Sequence, residues 1–292
     1  MPSTRLDDRG VVAVTGQEAR AFLDRIVTCE VETLAAGGAR YGALLAPQGK
    51  ILTDFVMMPG AAAADGGETF LLDAPAANVA DLAKRLTLYR LRAKLTVADR
   101  SAELAVVAGW GEASPPEGAE AQAADPRLAA LGWRAIVPRD RAPAGDDGAA
   151  YDAHRIALGI PSGGQDFAFA DAFPHEALMD QIGGVDFKKG CYVGQEVVSR
   201  MQHRGTARTR ILPLIYDGAP PPPGTEVRAG EKVLGRTGTV SGSRGLATLR
   251  IDRVADALDA GEALLADGVP ARIDAPDWIR FAVPGRAATD AA

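Results

Sequence analysis

A change in the hydrophobic pattern near Arg210 most constrains what this chain can fold into. Before this point, β-type runs alternate with amphipathic helical periods, whereas after it the chain shows short β-rich runs punctuated by glycine and proline. Regular short strands of this kind are typical of a small barrel or sandwich. We therefore predict a first region over 1–210, which could hold two subdomains, a C-terminal β domain over 211–285 and a tail over 286–292.

The first region has the pattern of an α+β sheet domain. Apolar residues recur on one helical face over 19–27 and again over 76–91. Strand-like runs surround these helices, including a hairpin predicted over 40–58. No G-x-G-x-x-G unit joins a strand to a helix, so a dinucleotide-binding fold has no support.

Composition argues against several functional classes. The formal net charge of −6 is unsuited to coating nucleic acid, so direct nucleic-acid binding is not expected. No run approaches about 18 uncharged apolar residues, which predicts neither a membrane span nor a signal peptide and makes the cytoplasm the expected location. The three histidines lack ligand spacing, and we expect no metal site. The two cysteines, Cys29 and Cys191, are too few for a four-thiolate cluster, so any cluster role would be indirect or shared.

The densest chemistry lies in nine consecutive residues, KKGCYVGQE, from Lys188 to Glu196. Gly190 and Gly194 bracket Cys191 with residues that reach positive φ or allow close approach, which suits a thiol displayed on a turn. The two lysines would favour the thiolate if their ammonium groups lay near the sulfur. We predict Cys191 to be a functional thiol, and a cysteine buried beneath a loop is the alternative.

Further charged residues stand out around this stretch. Glu176 is predicted to start an apolar helix, where the helix N-terminus stabilises a carboxylate. Asp54 lies inside a strand-like run, where it either faces water or serves a site. From 188 to 210 a single acid, Glu196, accompanies a set of cations that could bind an anion, since arginine forks suit carboxylates. These cations are Lys188, Lys189, Arg200, Arg204, Arg208 and Arg210. A solvated basic face and RNA contact are the alternatives, although interleaved aromatic residues for base stacking are lacking.

Residues 173–210, FPHEALMDQIGGVDFKKGCYVGQEVVSRMQHRGTARTR, resemble the signature of the YgfZ-type folate-binding proteins of iron–sulfur cluster assembly. That family is related to the glycine-cleavage T-protein (aminomethyltransferase, GcvT) superfamily. The most specific element is KGCYxGQE, formed here by Lys189, Gly190, Cys191, Tyr192, Gly194, Gln195 and Glu196. The resemblance covers nearly the whole chain. It implies a GcvT-like folate-binding domain followed by a small β-barrel domain over 211–285.

The resemblance also implies a folate site. The stretch YGALLAPQGKILTDF is similar to one in which a tyrosine stacks near the pterin and an aspartate assists folate chemistry, and the matching positions are Tyr41 and Asp54. PHEAL is similar to a P-x-E context, which implies that Glu176 anchors the 2-amino and N3–H edge of the pterin bidentately. Arg208 and Arg210 would bind the glutamate tail. Tetrahydrofolate or a derivative is the implied cofactor.

By resemblance, the chain would be a tetrahydrofolate-binding accessory protein that assembles or repairs iron–sulfur clusters in client proteins, including radical tRNA-modifying enzymes. Cys191 would be exposed beside the folate, and the partners would be iron–sulfur assembly proteins or client enzymes. The chain departs from the transferases at its cysteine-containing element, which favours a binding protein over an enzyme. The alternatives are a folate-dependent aminomethyl transferase that uses Asp54, and an RNA-associated module that uses the basic segment.

Overall fold

The structure, a computed structural model, describes residues 2–145, 148–205 and 207–286. The chain divides into two compact units, of which the first takes Met1–Tyr151 and Ile182–Ser199 and the second takes Asp152–Gln181 and Arg200–Ala292. The α+β class and the C-terminal barrel are confirmed. The domain boundary at residue 210 stays a prediction, and the predicted tail lies, beyond Arg286, outside the described residues.

The first unit is built on two antiparallel sheets. Its strands are β1 (Ser3–Arg5), β2 (Arg9–Gly16), β3 (Arg40–Leu45), β4 (Ile51–Pro59), β5 (Glu68–Pro75), β6 (Thr96–Asp99), β7 (Leu104–Gly109), β8 (Ala121–Ala124) and β9 (Trp133–Pro138). One sheet has the order β3-β4-β5-β2-β6, and the other has the order β1-β7-β9-β8. The predicted hairpin is confirmed as β3 and β4.

Two helices of the first unit cover one face of the five-stranded sheet. They are α1 (Ala19–Ile26) and α2 (Val79–Arg90), and α2 follows a 3₁₀ turn at Ala76–Asn78. Phe22 and Leu82 pack from these helices against Phe55 and Leu72 of the sheet in one apolar core. Because side chains alternate along a strand, the residues next to Phe55 and Leu72 point to the opposite face. Asp54 and Asp73 therefore lie on the sheet face that the helices do not cover.

The second unit contains a closed β-barrel with the order β10-β13-β12-β11-β14-β15. Its strands are β10 (Thr209–Tyr216), β11 (Glu226–Ala229), β12 (Lys232–Ser241), β13 (Arg244–Arg250), β14 (Leu264–Ala266) and β15 (Val269–Ile273). The barrel closes because β10 pairs with both β13 and β15. Helix α5 (Ile251–Asp259) buries Val254 and Ala257 in the barrel core. The expectation of strands alone after Arg210 missed this helix.

The remaining helices are α3 (Ala149–Ala157) and α4 (Gln195–Arg204), and two short 3₁₀ turns lie at Ala129–Leu131 and Arg139–Arg141. The helix predicted to begin at Glu176 is wrong, because residues 174–183 form a series of turns. Leu178 has a φ of +61° within this series, which breaks any regular helix there. In the described part of the chain, no helix combines the length and apolarity that a membrane span requires.

Candidate functional site

Tyr41 and Asp54 form a buried hydrogen-bonded pair on strands β3 and β4. The Tyr41 hydroxyl donates to Asp54 Oδ2 at 2.9 Å, and Asp54 is only 4% exposed. Asp54 Oδ1 is also buried, yet it has no hydrogen-bond partner among the residues that the structure describes. Burial, reinforced by the Asp54 charge, raises the pKa of the Tyr41 hydroxyl well above its usual value. Tyr41 therefore remains a donor at neutral pH, and the pair presents one carboxylate oxygen that can still accept a hydrogen bond.

A second buried aspartate, Asp73, lies on the neighbouring strand β5, and arginines bind both of its carboxylate oxygens. Arg9 Nε donates to Asp73 Oδ1 at 2.5 Å, and Arg134 Nη1 donates to Asp73 Oδ2. Arg134 also pairs with Asp125 at 3.0 Å through its Nε. Burial acts to raise the pKa of Asp73, but the charges of Arg9 and Arg134 outweigh it and hold that pKa below its usual value.

Arg127 connects this ion network to Tyr41. Its guanidinium carbon lies 5.7 Å from the centre of the Tyr41 ring, within the range of a cation–π interaction. Asp125 Oδ2 forms an ion pair with Nη2 of the same guanidinium at 2.7 Å. The Tyr151 hydroxyl accepts hydrogen bonds from Arg127 at 2.9 Å and from Arg134 at 2.7 Å. The sequence interpretation missed this network, although the single charges of Asp73 and Arg134 inside apolar strands were a usable signal.

Lys189 anchors the loop that carries Cys191. Its side chain is 2% exposed, and its Nζ lies 3.1 Å from Asp24 Oδ1. The same ammonium donates to the Val27 carbonyl at 3.1 Å and to the Cys29 carbonyl at 2.6 Å. These oxygens lie at the C-terminal end of α1, where the helix dipole favours a cation. The expected effect of Lys189 on the thiolate is conditional on its lying near the Cys191 sulfur, and in the structure this ammonium is bound by three oxygens.

Thr28 and Asp186 form hydrogen bonds that hold the chain just before this loop. Thr28 Oγ1 donates to the Gly184 carbonyl at 2.6 Å, and the Asp186 N–H donates to the Thr28 carbonyl at 2.9 Å. Asp186 Oδ1 then accepts the backbone N–H groups of Lys188 at 2.7 Å and Lys189 at 3.1 Å. Hydrogen bonds to Thr28 and hydrogen bonds within the loop itself therefore fix the conformation of the loop.

The two glycines around Cys191 have different roles. Gly194 has a φ of +81°, and a Cβ there would lie 2.6 Å from the Ala46 carbonyl oxygen. A Cβ on Gly190 would meet no atom of the described residues within 4 Å. Only Gly194 therefore meets the predicted need for glycine in this loop.

The residues next to Cys191 differ in exposure. Tyr192 is buried, and burial, followed by the charge of Asp186, raises the pKa of its hydroxyl to about 12. Gln195 and Glu196 form the start of α4. Cys191 itself is exposed, as is Lys188. The prediction of a displayed thiol agrees with this exposure, and its functional role stays a prediction.

Cys29 differs from Cys191 in its exposure. It is buried in the core between α1 and β3, and burial raises the pKa of its thiol to about 12, although the nearby Lys189 charge acts in the opposite direction. Cys29 is therefore a packed, unreactive thiol. In the described ranges, no group of three or more histidine, cysteine, aspartate and glutamate side chains is placed to hold a metal ion.

Glu176 lines a cleft of about 590 Å³ in the second unit. Its Oε2 accepts the backbone N–H of Phe173 at 2.8 Å, which orients the carboxylate. Apolar side chains such as Phe167 and Ile211 contribute to the cleft walls, and Arg236 and Arg250 add positive charge. Glu176 therefore lies in a cavity of the size that small ligands use.

Arg208 and Arg210, the predicted ligands of the glutamate tail, have different surroundings. Arg210 is buried, and its Nη1 donates to the His175 carbonyl and to Asp180 Oδ1, each at 2.6 Å. The Arg210 guanidinium also lies 4.5 Å from the centre of the Phe281 ring. Arg208 is exposed and can reach a ligand in solvent. The role of both arginines in folate binding stays a prediction.

Comparison with known proteins defines the class of this fold. Residues 7–133 match the GCVT N-terminal domain, and residues 208–281 match the CAF17 C-terminal beta-barrel domain. The crystal structure of glycine cleavage system aminomethyltransferase T from Bartonella henselae aligns with a TM-score of 0.74 and 15% identity, covering 95% of this chain and 86% of that chain. The chain therefore has a GcvT-like fold followed by a C-terminal β-barrel, as the resemblance implied, and the barrel matches the CAF17 type.

Curated relatives give the family. The chain is 33% identical to the Homo sapiens iron-sulfur cluster assembly factor IBA57, mitochondrial, over 94% of this chain and 84% of that protein. It is 33% identical to the Mus musculus protein of the same name, over 86% and 78%. The chain belongs to the family of the IBA57 iron–sulfur cluster assembly factors. The predicted resemblance is thus confirmed for iron–sulfur assembly factors with a GcvT-like fold, and a specific YgfZ-type assignment is not shown.

Fungal relatives are longer proteins. The Mycosarcoma maydis IBA57 homolog is 35% identical over 75% of this chain, and the Neurospora crassa homolog is 34% identical over 75% of it. The chain spans 58% and 55% of the length of these two proteins.

The expected cytoplasmic location is wrong. The fungal, mouse and human relatives are all named as mitochondrial proteins, and this finding contradicts the expectation. The expectation rested on the lack of a long apolar run. That criterion detects secretory signals and membrane spans, whereas mitochondrial transit peptides are amphipathic and rich in arginine and serine.

Proposed function

We propose that this protein is an accessory factor of iron–sulfur cluster assembly that binds tetrahydrofolate or a derivative and presents Cys191 to assembly proteins or clients. The observation that carries the folate part is the Tyr41–Asp54 pair, whose buried Oδ1 has no partner in the described part of the chain. An unpaired buried acceptor costs about 1–3 kcal/mol. A ligand that brings an N–H group to this oxygen recovers that free energy, and a reduced pterin carries several such groups.

Glu176 supports the same ligand class from the second unit. A pterin presents its 2-amino and N3–H donors in parallel, and a carboxylate accepts both. The cleft that Glu176 lines, about 590 Å³, lies within the range of about 300–1,000 Å³ that small-molecule sites occupy. Bound tetrahydrofolate would supply one-carbon chemistry at its N5 and N10 atoms, and the residues named here would bind and orient it.

Cys191 supports a cluster role that requires a partner. An iron–sulfur cluster normally takes four protein ligands. One of the two thiols of this chain, Cys29, is buried with a pKa raised to about 12, which leaves Cys191 as the thiol that a cluster or a partner can reach. Most ligands of any cluster would then come from an assembly protein or a client, and clients would include radical tRNA-modifying enzymes.

Calorimetric titration with tetrahydrofolate and its formyl and methylene derivatives tests the folate proposal. Asp54→Asn and Glu176→Gln each replace an acceptor oxygen by a donor, and each should weaken binding by about 5- to 150-fold. Cys191→Ser, on an exposed loop, is the matched control and should retain affinity. Unchanged affinity in both acceptor variants would exclude a role for these carboxylates in folate binding.

A folate-dependent aminomethyl transferase is the second candidate, because the buried Asp54 lies beside a tyrosine in an aminomethyltransferase-like fold. Incubation with an aminomethyl-loaded dihydrolipoyl carrier protein tests it, since the transferase would form methylene-tetrahydrofolate. The RNA alternative is weaker, because two cations of the basic segment are engaged within the protein. Lys189 and Arg210 are held in buried ion pairs, so neither side chain is available to bind a phosphate group.

A further inference from the structure

The C-terminal end of α2 exposes two leucines on the first unit. Leu88 is 64% exposed and Leu91 is 84% exposed. Phe187, at 37%, is the only other large apolar residue so exposed in the ranges that the structure describes. Single exposed leucines are common on protein surfaces, but two residues one helical turn apart form a local apolar surface.

Leu91 is also held in an unfavourable backbone conformation. Its φ of 50° and ψ of −104° lie in a region that residues with a Cβ rarely adopt. Such conformations persist only where the surroundings enforce them. The Ala93 N–H donates to the Arg90 carbonyl at 2.9 Å, Arg90 Nη1 donates to the Leu95 carbonyl at 3.0 Å, and Glu18 Oε2 accepts the Lys94 N–H at 2.7 Å. The turn is therefore fixed, and it projects Leu91 into solvent.

Local structural needs do not account for this arrangement. Leucine is a good helix former, which would explain Leu88, but Leu91 lies outside the helix, where helix propensity has no effect. Cations at a helix C-terminus interact well with the dipole, which would explain Arg90. Neither effect calls for an exposed leucine at positive φ, because glycine would adopt that conformation with less strain.

The charges around the leucines are predominantly positive, although Asp81 pairs with Arg85 at 2.5 Å and Glu18 lies beside Lys94. The stretch from Lys84 to Lys94, KRLTLYRLRAK, carries Lys84, Arg85, Arg90, Arg92 and Lys94 and no acid, in a chain of net charge −6. Lys84 and Leu88 are four positions apart, which places them on the same side of α2, and Leu91 follows directly after the last helical residue. The core residues Val79 and Leu82 lie on the other side. We call the exposed surface formed by Lys84, Leu88, Leu91, Arg92 and Lys94 the α2 knob.

We propose that the α2 knob docks into an apolar pocket with an acidic rim on another protein. Leu88 and Leu91 would fill the pocket, and the surrounding cations would pair with the rim. Charge complementarity argues for this partner, because a rim with an excess of cations around an apolar centre matches acidic residues around an apolar depression. A fixed backbone also lowers the entropy lost on binding, so two leucines can contribute strongly. This surface is independent of the folate proposal.

A protein pocket fits the α2 knob better than a membrane surface. Helices that lie in membranes insert a broad apolar face. The apolar face of α2 is instead buried in the core of the first unit, through Val79, Leu82 and Leu86. The two remaining leucines form a narrow projection, which suits a pocket.

Site-specific cross-linking in cells tests the proposal. A photoreactive amino acid replaces Leu88 in the full chain, and mass spectrometry identifies the cross-linked protein and the segment that it contributes. The purified partner is then titrated. We expect a segment of net negative charge with apolar residues at its centre. Affinity should fall about 30-fold or more in Leu91→Gly and in the double variant Arg92→Glu with Lys94→Glu.

Control variants distinguish a loss of docking from a folding defect. Leu91→Gly relieves the strain at positive φ, so its melting temperature should be unchanged or higher while binding is lost. Lys232→Glu, an exposed charge reversal on β12, is the matched control and should bind normally. Reversing the charge of an acidic rim residue on the partner should restore binding to the Arg92→Glu and Lys94→Glu variant.

The other outcomes overturn the proposal. These are absence of a cross-linked protein, a partner segment that is basic, a cross-link to a second copy of this chain, and Leu91-dependent binding to vesicles of phosphatidylcholine with phosphatidylglycerol. Folate titration of the same variants should give the wild-type affinity, so failure here leaves the folate proposal standing.

Discussion

Asp54 and Asp73 are buried aspartates on neighbouring strands of one sheet, yet their surroundings differ. Asp73 is 0% exposed, and guanidinium groups of Arg9 and Arg134 bind its two oxygens. Asp54 is bound by the Tyr41 hydroxyl alone, and its Oδ1 lacks a hydrogen-bond partner in the described ranges. Residue type, sheet face and burial are shared, so none of them distinguishes the two carboxylates. The degree to which the two oxygens are paired does.

Asp73→Asn should cause the largest loss of stability. The substitution leaves Arg9 and Arg134 without their shared carboxylate, and breaking a buried ion pair costs about 3–5 kcal/mol. The free energy of unfolding in urea measures this loss. Asp54→Asn is the matched control, and it should change stability by about 1 kcal/mol or less because no cation among the described residues forms an ion pair with Asp54. Equal losses in the two variants would contradict the distinction.

Lys189→Met extends the comparison to the loop that carries Cys191. The methionine retains the apolar stem but leaves Asp24 and two backbone carbonyls without their shared donor, so we expect a loss of about 1–3 kcal/mol. Lys188→Met, one residue earlier and exposed, should change stability by less than about 0.5 kcal/mol. Urea denaturation of both variants measures the difference. If both lysines proved equally dispensable, Lys189 would not anchor the loop.

Acid should reduce the stability difference between wild type and Asp73→Asn. The pKa of Asp73 is held below its usual value of 3.8 in the folded state. A carboxyl shifted in this direction stabilises the fold above its unfolded pKa, and the contribution is lost as the pH falls through the folded pKa. Below about pH 4, wild type should lose up to about 1.4 kcal/mol per pH unit that the variant does not lose. Urea midpoints between neutral and acidic pH measure it, and a constant difference would contradict this account.

Local sequence patterns correctly predicted those helices and strands that short-range periodicity and turn residues determine. The helical period at 19–27 became α1 (Ala19–Ile26), and the hairpin over 40–58 became β3 and β4. Helix α5 also had a local signal, since Ile251, Val254 and Leu258 repeat at helical spacing within a region interpreted as strands. The domain boundary at 210 remains a prediction that limited proteolysis can test.

Long-range pairs could not be predicted from local patterns. Asp73 is 64 residues from Arg9 and 61 from Arg134 in sequence, and no periodicity links them. The same reason explains why the partners of Lys189 were not foreseen, because the carbonyls that it binds near Cys29 are about 160 positions earlier. The prediction of a displayed Cys191 agrees with its exposure, but the position of the Lys189 ammonium depended on these distant oxygens.

Cys191→Ser should have the smallest effect on stability. Together with Cys29→Ser it compares an exposed thiol with a buried one, as Asp54 and Asp73 compare two carboxylates. Because Cys191 is exposed, its replacement should change the free energy of unfolding by about 0.5 kcal/mol or less. Cys29→Ser, the matched control, places a hydroxyl in the core and should cost about 1–3 kcal/mol.

Alkylation kinetics on the native protein complete this test. Only the thiolate reacts, and burial with a pKa raised to about 12 protects Cys29, so iodoacetamide should label Cys191 first. If Cys191 serves cluster assembly, Cys191→Ser should fail to support iron–sulfur enzyme activity in cells at a normal protein level, while folate affinity is retained. Slow labelling of Cys191, together with a clear loss of stability in Cys191→Ser, would instead show that this thiol is packed like Cys29 and would remove it from the proposed function.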